Sequence, residues 1–277
     1  MPFVFKYCDA HGVEILKNLE IKVTPPNQFN DPFEFTAYAT CSDPEGWAKC
    51  LLKKDQIRKR YGEDIMNGRF DGTFRQYQEQ FRKPRRELIE TLVSNMPRVL
   101  EEAQVAAIDD ASTRYGVLCL SSRPDSILMW GHYSDSHQGM VVGFDRSHKI
   151  FKGQFGLRDV NYERKRVVYD RAWSERSQEY AEFTEKIIFT KNEEWRYENE
   201  ARQIFRLETL KQRLLPKKGI GYFRSIPPEA VVSVYLGEKC SPRLKADVLT
   251  ALSVPHLAHV KSACAVLHRS EFRIDFE

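Results

Sequence analysis

The chain has 277 residues, 42% hydrophobic and 30% charged, with a net charge of +4 and a pI near 8.6. That length and apolar fraction allow a sizeable core within one elaborated domain, and so mild a basicity does not by itself mark a nucleic-acid binder. The start, MPFVFKYCDA, has no basic stretch followed by an apolar one, and no run of about 18 apolar residues occurs, so neither a signal peptide nor a membrane span is expected and a cytoplasmic location is.

Residues 3–7 are aromatic and β-branched and predict a strand. Asp9 is placed to cap a helix carrying Val13, Ile15, Leu16 and Leu19. Residues 21–24 predict a short strand, stopped by Pro25-Pro26, and a loop follows over 27–34. From residue 44 to about 113 the pattern is helical, with Leu51, Ile57, Leu88, Leu92 and Leu100 as apolar markers. Gly62, Gly68 and Gly72 break it into at least two pieces, and 44–113 is read as a helical insertion or subdomain. Strands are predicted over 115–121 and 140–144 with a helix over 126–134 between them, and again over 167–169. A helix over 178–188, strands over 198–205 and 231–236, a capped helix over 241–252 with Pro242 at its first position, and a β-rich end over 263–276 complete the chain. The strands are short and the helices come in blocks. That predicts a single α+β domain over 1–277, with a mixed, mostly antiparallel β core and a helical insertion.

The six cysteines include no CxxC pair and no histidine at zinc-ligand spacing, so they read as free thiols in a reducing compartment. His256 and His259 lack acidic or cysteine partners, so no metal is expected. Phosphate-cradling glycine loops, a GxSxG elbow and HExxH are all missing from the sequence.

Three motifs carry the polar chemistry. Phe29-Asn30-Asp31-Pro32-Phe33-Glu34 is a strong turn, either pinned in a core by Phe29 and Phe33 or presenting Asn30, Asp31 and Glu34 at a cleft. Ser121-Ser122 ends a strand and is followed by Met129-Trp130-Gly131-His132-Tyr133, whose helical spacing places Met129, His132 and Tyr133 on one side. Trp195-Arg196-Tyr197-Glu198-Asn199-Glu200-Ala201-Arg202 is the third. As a strand it puts Glu198, Glu200 and Arg202 in one row, able to bind hydroxyls or stabilise a developing cation. As a helix it gives only exposed ion pairs of about 0.2–0.5 kcal/mol each; Ile204 and Phe205 favour the strand.

These residues resemble members of the bacterial and archaeal domain-of-unknown-function family 2971. The resemblance is carried by Phe5-Lys6-Tyr7, by the Phe29–Glu34 motif, by Leu120-Ser121 and Met129–Tyr133, by Gly139 before Gly143-Phe144-Asp145, and by Trp195, Tyr197-Glu198, Glu200 and Arg202. It spans about residues 3 to 237, and the family has no settled activity. The layout is also similar to ADP-ribosyltransferases, with a glutamate on a late strand. That similarity implies NAD as co-substrate, with Glu200 or Glu198 as the catalytic carboxylate. Tyr7 or Lys6 would stand where those enzymes often place a His or Arg, and Ser121, Ser122 or Tyr133 would meet the nicotinamide. Asn30, Asp31, Trp130, His132 and Arg202 would complete the ligand-binding set. The chain departs from that pattern in having no His or Arg on the first strand and no Ser-Thr-Ser run on the middle one.

The expectation is therefore an NAD-using transferase or glycohydrolase, in a toxin or phage-defence setting, with the sequence not assigning a protein or nucleic-acid acceptor. Two alternatives stand beside it. One is a non-catalytic module binding a small ligand or a partner. The other is a nucleic-acid-acting protein using the basic clusters at 53–60 and 82–86.

Overall fold

Runs rich in valine, phenylalanine and tyrosine become strands, because a pleated surface accommodates β-branched and aromatic side chains. A computed structural model describes residues 2–152, 156–171, 178–215 and 219–277. In chain order the strands are β1 (Phe3–Cys8), β2 (Glu20–Val23), β3 (Tyr38–Thr40), β4 (Tyr115–Ser121), β5 (Met140–Asp145), β6 (Arg158–Asp159), β7 (Asn161–Glu163), β8 (Val168–Asp170), β9 (Thr190–Asn192), β10 (Glu200–Arg206), β11 (Lys211–Leu215), β12 (Gly219–Ser225), β13 (Val231–Leu236), β14 (Lys261–Leu267) and β15 (Ile274–Phe276). The α-helices are α1 (Val13–Asn18), α2 (Pro44–Leu51), α3 (Lys54–Met66), α4 (Phe74–Glu79), α5 (Arg85–Ser94), α6 (Met96–Arg114), α7 (Ile127–Tyr133), α8 (Gln178–Phe189) and α9 (Pro242–Leu252). The protein is α+β. It divides into two units: Met1–Phe35 with Ile108–Lys165 and Ile188–Glu277, and Thr36–Ala107 with Arg166–Ile187.

The first unit is built on an eight-stranded sheet in the order β15-β14-β13-β5-β1-β4-β10-β6. Every neighbouring pair is antiparallel except β13 with β14. The central strand β5 reads MVVGFD, and its first five residues are all buried, as expected of a strand covered on both faces. Val4, Val142, Phe144 and Val234 belong to one core cluster, together with Leu16 of α1 and Leu244 and Val248 of α9. Phe5, Tyr7 and Val141 belong to a second cluster with Met129 and Trp130 of α7. An antiparallel β11-β12-β2 sheet and a parallel β7-β9 pair complete this unit.

Local chemistry fixes the ends of these elements. Asp9 accepts from His11 N at the turn before α1, Ser126 caps α7 at Met129 N, and Ser241 caps α9 at Leu244 N ahead of Pro242. The strand expected over 198–205 starts two residues later. Glu193–Glu198 forms a 3₁₀ turn, and Asn199 lies in the left-handed region at φ 44° before β10 begins at Glu200. Glu198 and Glu200 therefore belong to different elements instead of one strand row.

The second unit holds α2 to α5, the parallel β3-β8 pair, and parts of α6 and α8. Its helices are held by a local aromatic group, Tyr61, Phe70, Phe74 and Tyr77, with ring centroids 5.0–6.2 Å apart. Tyr77 donates to Asp64 Oδ2 at 2.7 Å, and a Thr73–Gln76 capping box starts α4. Among the described residues, no helix is long and apolar enough to cross a membrane.

Candidate functional site

The three motifs meet in the first unit around a buried group of charges. Glu34 from the turn after Pro32, Lys191 from β9, Glu198 from the 3₁₀ turn and Glu200 and Arg202 from β10 are each no more than 6% exposed. Burying charge is costly unless it is paired and hydrogen-bonded, so the geometry of the pairing decides whether the fold tolerates it.

The pairing is dense. Arg202 Nε donates to Glu200 Oε1 at 2.8 Å and Arg202 Nη2 to Glu200 Oε2 at 2.9 Å, a bidentate fork. Arg202 Nη2 also pairs with Glu34 Oε2, and Nη1 donates to Ile188 O at 2.8 Å. Lys191 Nζ reaches three carboxylates: Glu198 Oε2 at 2.6 Å, Glu34 Oε1 at 2.9 Å and Glu200 Oε2 at 3.4 Å. The Glu34 contact has the distance of an ion pair without the direction of a hydrogen bond, and that oxygen has no hydrogen-bond donor. Trp195 lies beside Lys191, with Nζ 4.8 Å from the ring centroid. Phe29 and Phe35 stack edge to face at 5.0 Å and flank the Arg202 guanidinium at 5.8 and 5.1 Å.

Protonation states follow from this arrangement. Burial works against ionised Glu200, but Arg202 and Lys191 outweigh it and pull its pKa down to about 2. Burial likewise opposes charge on Lys191, and Glu200, Glu34 and Glu198 together hold the ammonium above its usual range. At Glu34 burial wins over Arg202 and Lys191, and the carboxyl is pushed up. The cluster is thus an ionic core in which Glu34 takes up a proton more readily than Glu200.

A hydrogen-bonded rim connects this core to the surface. Tyr133 donates to Glu198 Oε1 at 2.6 Å, and the side chain of exposed Asn30 lies beside its hydroxyl. Burial and the Glu198 charge raise the Tyr133 phenol above its ordinary value. The exposed His132 has Nδ1 3.0 Å from Tyr197 OH. Tyr162 OH accepts from Glu200 N at 2.7 Å, and burial pushes its pKa up to about 12.

The remaining expected site residues serve as ties. Lys6 Nζ donates to Cys119 O at 3.0 Å, and the buried Tyr7 OH donates to Arg123 O at 2.8 Å. Ser121 Oγ donates to Glu198 O at 2.6 Å and Ser122 Oγ to Asn199 O at 3.0 Å, which stitches the end of β4 to the turn before β10. Trp130 is fully buried with its indole N–H on Pro124 O, so the α7 face expected to hold Met129, His132 and Tyr133 is split: Met129 and Trp130 point inward and His132 outward. In the Phe29–Glu34 turn, Asp31 Oδ1 accepts from Phe33 N at 2.8 Å and Oδ2 is buried with no partner. The expected anchor Phe33 is 56% exposed; Phe35, held at φ 58°, takes its place against Phe29. A bulky residue in the left-handed region is strained, and Phe35 is held there beside the Arg202 guanidinium.

Sequence reasoning missed Lys191, a lone lysine with no motif around it, whose only signal was its place seven residues ahead of Glu198. It also missed Tyr162 and the partnership of Tyr197 with His132. No group of three or more His, Cys, Asp or Glu is placed to hold a metal among the described residues. No curated protein and no solved structure matches the chain. Residues 129–203, which carry Tyr133, Lys191, Glu198, Glu200 and Arg202, match the model of a family described as protein of unknown function (DUF2971).

Proposed function

We propose that the first unit is a small-ligand-binding module whose ligand, a nucleotide with NAD as the first candidate, docks at Asn30, His132, Tyr133 and Tyr197. The observation that carries this reading is the hydrogen-bonded path from Tyr133 through Glu198, Lys191 and Glu200 to buried Arg202, with exposed Asn30 beside the phenol. Such a path holds the rim groups in fixed orientations, and preorganised polar groups bind at lower entropic cost. The unsatisfied acceptor Asp31 Oδ2 calls for a donor such as a ribose hydroxyl or an amide N–H. The rings of Trp195, Tyr197 and His132 offer faces for a planar base. Binding is favoured over catalysis because both candidate carboxylates are already engaged, Glu200 by the Arg202 fork and Glu198 by Tyr133 and Lys191.

One observation supports an NAD-cleaving enzyme as the second reading. Ser121 and Glu200, a serine and the carboxylate which that reading assigns to NAD, are register partners on β4 and β10. On that reading Glu200 exchanges part of its Arg202 contact for ribose hydroxyls when NAD enters. The deciding experiment is calorimetric titration of the full chain with NAD, ADP-ribose, nicotinamide and ATP, with nicotinamide release followed in parallel. Binding of NAD without release, lost in Tyr133→Phe, is the expected result. Release by the native chain that disappears in Glu200→Gln would replace the module with the enzyme. No heat with any of the four would remove the nucleotide from the proposal.

A further inference from the structure

A second feature of the first unit lies away from the charge cluster and does not depend on its reading. A small cavity is lined by Gln203 of β10, Arg224 of β12 and Ile150, with Leu118, Phe144 and Phe205 among its apolar walls. It has about 10 Å³ of room for the centre of a water molecule, the space one water needs. Purely apolar cavities of this kind stay dry, whereas polar ones hold water when two or more partners converge.

Two partners converge here. Gln203 is 4% exposed, and its Nε2 donates to Ile150 O at 2.9 Å. A carbonyl oxygen only accepts, so this bond fixes which way the amide faces. Its Oε1 is then a buried acceptor with no donor in the protein. Arg224 lines the same cavity, and its buried Nε–H has no acceptor in the protein. One orphan accepts and the other donates, which is the complementary pair that a single water satisfies.

We propose that this cavity is a specific water-binding site, in which one water donates to Gln203 Oε1 and accepts from Arg224 Nε–H. The water then joins β10 of the eight-stranded sheet to β12 of the three-stranded sheet, one residue beyond Arg202. A larger polar ligand does not fit the volume.

The test is a crystal structure of the full chain at a resolution that shows ordered water, with a double-mutant cycle of Gln203→Leu and Arg224→Met read by urea unfolding. The expected structure has a peak within roughly 2.7–3.2 Å of both atoms. Each single variant is expected to lose roughly tenfold in the folding equilibrium constant, about 1.4 kcal/mol. The double variant is expected to lose clearly less than the product of the two, because both changes remove the same water. A cavity without density, or a direct bond between Gln203 Oε1 and Arg224 Nε, would overturn the proposal. So would full additivity of the two substitutions. If a variant fails to fold, the native crystal alone decides.

Discussion

Lys191 is the residue on which the charge cluster turns, because one ammonium faces three buried carboxylates. Removing one partner of a buried ionic group leaves uncompensated charge, so Lys191→Met is expected to cost about 3–5 kcal/mol in urea unfolding. Tyr133→Phe deletes one hydrogen bond to a charged group and is expected to cost less, about 1.5–3 kcal/mol. A Lys191→Met chain as stable as the native one would mean that the carboxylates are largely protonated and that the cluster is not ionic. The pH dependence separates the glutamates. Glu200 has a folded pKa of about 2 against an ordinary 4.5. Its stabilisation is therefore full above the ordinary value and is lost as pH falls from about 4.5 towards 2. Glu34 runs the other way. Its folded value is raised, so its contribution is full below the ordinary value and declines as pH rises through the folded one. Urea midpoints between about pH 2 and pH 8 should show a flattened acid limb in Glu200→Gln, and in Glu34→Gln a smaller loss on the neutral side.

At the scale of elements, legibility followed burial pattern. β1, β4, β5 and β13 were readable because their apolar runs are bounded by turn residues, and α9 because Ser241 and Pro242 mark its start. β11 was not. It reads Lys-Gln-Arg-Leu-Leu and is mostly exposed, so no alternation betrays it, and its pairing with β12 is a tertiary fact. The start of β10 was misplaced because Asn199 turns the chain through a left-handed conformation where no glycine signals it. The two glycines near the His132–Tyr133 motif make opposite predictions. A Cβ on Gly139 would run into the backbone carbonyl of Cys8, where β5 begins beside β1. Backbone cannot yield as a flexible side chain can, so Gly139→Ala is expected to destabilise by about 1–3 kcal/mol. Gly131, inside α7, has open space around it. Gly131→Ala is expected to stabilise by roughly 0.5–1 kcal/mol through helix propensity and unfolded-state entropy. Melting curves of the two variants test both signs, and a shift in the same direction for each would contradict the packing argument.

For the whole molecule, composition set the class and motif spacing pointed to the parts of the site, but not to their assembly. Glu34 and Arg202 stand 168 positions apart, and only the fold brings them together. The basic clusters had the opposite weakness. They suggested basic helices, and the structure shows that several of their charges are engaged locally. In the 82–86 cluster, Arg82 pairs with Glu79 at 3.0 Å, Lys83 with Glu87 at 2.7 Å and Arg86 with Glu90 at 2.9 Å. In the 53–60 cluster, Lys59 faces Glu63 at 3.9 Å and Arg58 stacks over Phe74 at 5.5 Å. Exposed pairs of this kind contribute about 0.3–0.5 kcal/mol each to a helix, and they also mask the positive charge that a phosphate backbone would need. A protein that neutralises 6–10 phosphates loses roughly 10³–10⁵ in affinity between 50 and 200 mM salt. With Arg82, Lys83 and Arg86 paired and Arg58 and Lys59 engaged, the chain is expected to bind duplex DNA weakly at low salt, with a slope equivalent to only about one or two phosphates. Fluorescence anisotropy of a labelled duplex across that salt range measures the slope. A value near that of a six-phosphate binder would require the helices to present a continuous basic face despite their pairing, and would put the nucleic-acid reading ahead of the ligand-binding one.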